Sequence, residues 1–101
     1  RQPLLDAFVV CSEEGIRDEA VKLLYELRSA GIAADIDYSG RSFKAQFKFA
    51  GGSGASFACV MGPEEVSSGS VTVKDLESGE QRRVARGDVA SAIMASGHKN
   101  G

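Results

Sequence analysis

The sequence is poor in the side chains that most chemistry needs. Its one histidine, His98, lies in the polar stretch Ser96 to Gly101, where no neighbour supplies the partners that fix a general acid or base. It reads as a solvated tail residue. No Gly-x-Ser-x-Gly elbow, His-Glu-x-x-His pair or Gly-x-x-x-x-Gly-Lys phosphate loop occurs, so no catalytic residue is assigned and the chain alone is not expected to be an enzyme. The two cysteines, Cys11 and Cys59, sit inside apolar runs and not in a Cys-x-x-Cys pair, which favours buried reduced thiols over a disulfide or a metal site. No metal is expected, and a cytoplasmic setting is. Charge of one sign is also lacking. The formal net charge is -2, which argues against a general nucleic-acid binder, because non-specific affinity needs an excess of Lys and Arg. The longest apolar stretches, Ala7 to Cys11 and Phe57 to Met61, fall far short of the roughly 20 residues that cross a membrane as a helix. No membrane partner is expected. The chain opens Arg1-Gln2-Pro3 without an initiator methionine or a leader, and so reads as a piece of a longer protein.

At 101 residues with 43% hydrophobic content, the chain fits one domain with one core over residues 1–101, its ends 1–5 and 96–101 frayed. Asp6 to Cys11 is a short apolar run that suits a strand buried on both faces. Ser12 is placed to cap a helix with Glu13 and Glu14 in its first turn. Ile16, Ala20, Leu23, Leu24 and Leu27 then repeat at helical spacing, and Gly31 ends the helix. Ala34 to Tyr38 alternates like a strand with one wet face or an edge position. A second helix starts near Ser42 with Phe43, Phe47 and Ala50 on its core ridge, and Gly51-Gly52-Ser53-Gly54 closes it. That glycine stretch follows a helix and precedes a strand, the reverse of a phosphate cradle. Phe57 to Met61 is a third strand stopped by Gly62-Pro63. Val71 to Lys74 and Gln81 to Val84 pair across a turn at Glu77 to Glu80 as a hairpin, and Asp88 caps a last helix carrying Val89, Ile93 and Met94. Two strand-helix-strand crossovers imply three parallel strands. The expected fold is therefore α/β: a three-layer α/β/α domain with a mixed sheet of about five strands, three parallel plus a C-terminal hairpin, and three helices.

The second helix carries the most informative surface. Arg41, Lys44 and Lys48 are spaced by three and then four, so three positive charges line one ridge beside the Phe43, Phe47 and Ala50 ridge. On a slightly acidic domain such a ridge suits a modest phosphate-contacting surface, although spacing alone leaves open a plain solvated helix. Tyr38 and Phe49 are candidate platforms for an unstacked base or ordinary core rings. Lys74, Arg82 and Arg83 on the hairpin are either groove-facing or simply exposed.

Three segments occur in an order that resembles a known family: Leu27 to Ile32, Asp35 to Tyr38 and Gly40 to Ala50. They are followed by Val60-Met61-Gly62-Pro63-Glu64-Glu65-Val66 and Gly69 to Leu76. Together they resemble the C-terminal anticodon-binding domain of class II aminoacyl-tRNA synthetases over roughly Asp6 to Ala95, with the wording of Tyr38 to Ala50 favouring the histidine-specific branch over the threonyl, prolyl and glycyl ones. The resemblance implies an RNA partner, the anticodon stem-loop of a tRNA. It implies a parent that is a homodimer and uses ATP and Mg on a catalytic core outside these residues, with no cofactor in this domain. It places Glu65, the acidic residue of the Gly-x-x-Glu turn, and Lys74 on the next strand against anticodon bases, with Gly40 and Arg41 facing the RNA. The expected RNA-binding set is Tyr38, Gly40, Arg41, Lys44, Lys48, Glu65 and Lys74. The glycines that end the second helix and its richness in Phe depart from the family's habit.

Overall fold

The computed structural model describes residues 5–37 and 42–97. Strands β1 (Leu5–Cys11), β2 (Ala34–Ile36), β3 (Ala55–Met61), β4 (Ser70–Asp75) and β5 (Gln81–Ala85) form one five-stranded sheet in the order β2-β1-β3-β4-β5. β1 runs parallel to both β2 and β3, and β3, β4 and β5 are antiparallel in turn. The expected mixed sheet is thus present. Its central strands β1 and β3, apolar from Ala7 to Cys11 and from Phe57 to Met61, are largely buried, while β2, whose middle residue is Asp35, takes an edge.

Helices α1 (Arg17–Ser29) and α4 (Val89–Gly97) cover one face. There Leu23, Leu24 and Leu27 meet Val9, Cys59, Met61, Val71 and Val73, with Val89 and Ile93 of α4 in the same core. Helix α2 (Phe43–Gly52) lies on the other face, over β1 and β3. Its Ala50 and Phe47 pack with Phe8, Val10, Ala58 and Val60. Ser42 caps α2 by accepting the Ala45 N–H at 3.2 Å, as its position predicts.

The count of helices is corrected from three to four. The Gly62-Pro63-Glu64-Glu65 stretch does more than turn: it starts helix α3 (Pro63–Ser68), too short for a periodic signal. Ser12 does not cap α1. A 3-10 turn over Glu14–Ile16 precedes the helix, and the Ser12 hydroxyl makes no hydrogen bond. The glycines do not shorten α2, which runs through Gly52 to a cap at Ser53. Phe43 and Met94 are exposed and not core residues. α4 continues through Ser96 to Gly97, and His98 lies outside the described residues.

One join was invisible in the sequence. Ser12 N–H donates to Met61 O, so the Cys11 amide and carbonyl, alternating with it, face the β2 side. β2 ends at Ile36, opposite Val9, and the Asp37 carbonyl accepts from Arg17 Nη2 at 2.9 Å. Gln46 of α2 takes the vacant place. Cys11 N–H donates to Gln46 Oε1 and Gln46 Nε2 donates to Cys11 O, both at 2.8 Å. The buried amide thereby imitates a strand partner and fixes α2 on the sheet.

Candidate nucleic-acid interface

Side chains alternate along a strand, so Val71 and Val73 enter the α1 core while Thr72 and Lys74 point to the α2 face. Arg83 and Gln81 stand opposite them on β5. Among the described residues α2 lies over β1 and β3 and α3 packs against β3 and β4 at the Thr72 end, so no helix covers the Lys74 and Gln81 end of this polar half of the sheet. β5 keeps four of its five residues exposed. The result is an open floor of Thr72, Lys74, Gln81 and Arg83, with α2 along one side and α3 at one end.

Three ammonium groups stand on the floor and on the helix beside it. The Lys74 Nζ sits 5.3 Å from the centre of the Phe47 ring, a cation–π contact that joins β4 to α2. At 100° per residue, Lys44 and Lys48 follow directly beside the Phe43 and Phe47 ridge, and both are exposed. Among the described residues no carboxylate lies within ion-pair distance of Lys44, Lys48 or Lys74. Ion pairs seen among the described residues use Lys22, Arg28, Arg83 and Arg86 instead. A locally positive rim therefore stands on a chain of net charge -2.

Glu65 marks the end of the floor. Its Oε1 accepts the Gly62 N–H at 2.9 Å, which is half of a capping box, glycine having no side chain to complete it. Its Oε2 accepts from the Thr72 hydroxyl at 2.8 Å and from Arg83 Nη2 at 3.1 Å. Arg83 Nη2 also reaches Glu64 Oε1 at 3.3 Å. The Glu65 side chain is only 12% exposed. Burial alone would raise its carboxyl. Hydrogen bonds from Thr72, from its own N–H and from Gly62, with the charge of Arg83, outweigh burial and hold it below the ordinary glutamate range.

Of the residues expected to meet RNA, Lys74 reaches α2 through Phe47, while Lys44 and Lys48 are exposed on that helix, Lys48 beside Ala45, Phe49, Gly52 and Ser53. Glu65 joins the floor through Thr72, two residues from Lys74 on the same side of β4, although both its oxygens already serve the protein's own donors. Tyr38, Gly40 and Arg41 lie outside the described residues. Phe49 points the other way, edge-to-face against Phe8 with ring centres 5.7 Å apart. Arg83 was one of several hairpin cations in the sequence, and the spacing of Gly62 and Glu65 as N-cap and N3 is the signal that predicts its partner.

Among the described residues no group of His, Cys, Asp and Glu is arranged to hold a metal. Cys11 and Cys59 are buried free thiols, as their apolar runs imply. Burial pushes Cys59 up to about 12 and also raises Cys11. Iodoacetamide at pH 8 is therefore expected to leave Cys59 unlabelled in the folded chain and to label both thiols in urea, read by intact mass. Rapid native labelling of Cys59 contradicts this burial.

The family model described as "Anticodon binding domain" matches residues 6–95. The histidine–tRNA ligase of Geobacillus thermodenitrificans is 44% identical over 90 residues, covering 89% of this chain and 21% of that protein. That of Rubrobacter xylanophilus is 48% identical over 83 residues, covering 82% and 20%. This chain thus spans about a fifth of the length of these curated relatives. Among solved structures, the histidyl-tRNA synthetase of S. aureus superposes with a TM-score of 0.81 at 36% identity, over 88% of this chain and 23% of that one. The RNA binding domain of threonyl-tRNA synthetase from Cryptosporidium parvum shares the fold, with a TM-score of 0.83 at 17% identity over 90% and 23% of the two chains. The basic-rimmed open sheet, the Gly62 to Glu65 bend and a family match across nearly the whole chain agree: this chain belongs to the anticodon binding domain family, in the form found in bacterial histidine–tRNA ligases.

Proposed function

We propose that this domain grips the anticodon stem-loop of tRNA(His) and positions that tRNA for aminoacylation by a catalytic core that these residues do not contain. The observation that carries the reading is the set of three ammonium groups, Lys44 and Lys48 exposed on α2 and Lys74 on the strand that meets it, standing without carboxylate partners among the described residues beside an open, polar stretch of sheet. Such a rim attracts the phosphates of a looped strand, and the polar floor offers donors and acceptors to unstacked base edges. Tyr38, Gly40 and Arg41, at the entrance of α2, and Glu65, at the end of the floor, belong to the same proposed interface. Glu65 acts there chiefly by holding Arg83 and Thr72. We propose further that the parent is a cytoplasmic homodimer that draws ATP and Mg to its separate catalytic core.

Fluorescence anisotropy of the 101-residue chain with the labelled tRNA(His) stem-loop tests the reading. Replacing Lys44, Lys48 and Lys74 together by Gln is expected to weaken binding and to flatten the slope of log affinity against log salt by about 2, at about 0.7 per lost single-strand phosphate contact. Binding that ignores salt, or a triple variant with an unchanged slope, overturns it. A tRNA(Thr) stem-loop that competes equally removes the histidine assignment and leaves anticodon binding standing.

A further inference from the structure

Phe43 is 39% exposed, although its place on the Phe43, Phe47 and Ala50 ridge predicts burial. An exposed apolar residue alone means little. This one is held. Its ring meets Phe47 edge-to-face, with centres 5.1 Å apart and planes at 85°, and Phe47 is itself met by the Lys74 ammonium. In either edge-to-face arrangement, at least one face of the Phe43 ring is not taken by Phe47. Lys44 is the next residue, and Lys48 lies one turn further along the same side of α2. A held aromatic face with cations on the neighbouring helix positions fits an unstacked base whose flanking phosphates those cations can meet. The positive rim argues against an apolar peptide as the occupant.

We infer that Phe43 is a stacking platform for one unpaired nucleobase of a bound RNA loop, an inference that rests on the RNA-binding reading above. Leu at this position keeps an apolar contact with Phe47 and removes the π face, while Tyr retains both. The test measures binding of wild type, Phe43→Leu and Phe43→Tyr to the tRNA(His) stem-loop and to versions made abasic at each loop position in turn, with melting temperatures alongside. Phe43→Leu is expected to weaken binding roughly 5- to 150-fold without changing the salt slope, and Phe43→Tyr to restore it. One abasic position should weaken wild type by a similar factor and Phe43→Leu no further, a coupling that a purely structural role would not produce. Full-strength binding by Phe43→Leu, additive losses at every abasic position, or abasic RNAs that all bind wild type normally would each overturn stacking alone. A wild-type chain that does not bind the intact stem-loop overturns the RNA reading as well.

Discussion

Gln46→Leu is expected to destabilise the domain by roughly 3 kcal/mol, because it leaves the buried Cys11 amide and carbonyl without the partners that Gln46 supplies, at about 1–3 kcal/mol for each unsatisfied group. Leucine has nearly the volume of glutamine, so packing loss is a minor part. For a domain of this size the melting temperature should fall by about 4–8 °C per kcal/mol. Gln46→Glu separates the two halves of the clasp: a carboxylate still accepts from the Cys11 N–H but faces the Cys11 carbonyl with no proton. It should be at least as damaging at neutral pH. Thermal and urea melts of the two variants check the argument, and a Gln46→Leu melt within about 0.5 kcal/mol of wild type would mean that Cys11 finds another partner at no penalty.

Glu65→Ala should cost about 2–3 kcal/mol, again measured by urea melts, since it strips the buried Gly62 N–H of its acceptor and releases Thr72 and Arg83. Here pH supplies an internal control. The folded Glu65 carboxyl is held below its ordinary value, so its contribution is complete above about pH 4.3, the unfolded value, and disappears as pH falls through the lower folded value. Glu65→Gln fixes the neutral form. It should fall short of wild type at pH 7 and converge on it in acid, whereas a gap that stays constant with pH would show that charge at Glu65 plays no part.

The periodic elements were legible because burial repeats in them. Ala20, Leu23, Leu24 and Leu27 mark α1, and the alternation of Val71 and Val73 marks β4 with Lys74 on the opposite side. The basic ridge on α2 was legible for the same reason. Helix α3 was not, because its six residues make fewer than two turns and none repeats at a helical interval to give a stripe. Gln46 was hidden for a different reason: it is a polar residue among apolar ones, and its use depends on where β2 stops and on Cys11, 35 positions away in the chain. Phe43 looked like core because the first turn of a helix can overhang the sheet it packs on, which no periodicity records. Arg83 was indistinguishable from Arg82 until the register with Thr72 placed them on opposite sides of β5.

The bend at Gly62 bears on why the proposed RNA contacts lie on the flank of this sheet. A Cβ at Gly62 would lie 2.9 Å from the Ser12 hydroxyl and 3.0 Å from Glu65 Oε1, so the ends of β1 and β3 are closed against each other. In doubly wound sheets, ligands usually settle in the crevice where strand order reverses, with backbone amides turned toward an anion. Here that crevice is occupied from within: the Gly62 amide faces a carboxylate of its own chain, which plays the part of the guest phosphate. The usual doorway of such sheets is bricked up by an internal counter-ion, which leaves the side wall to the proposed RNA contacts.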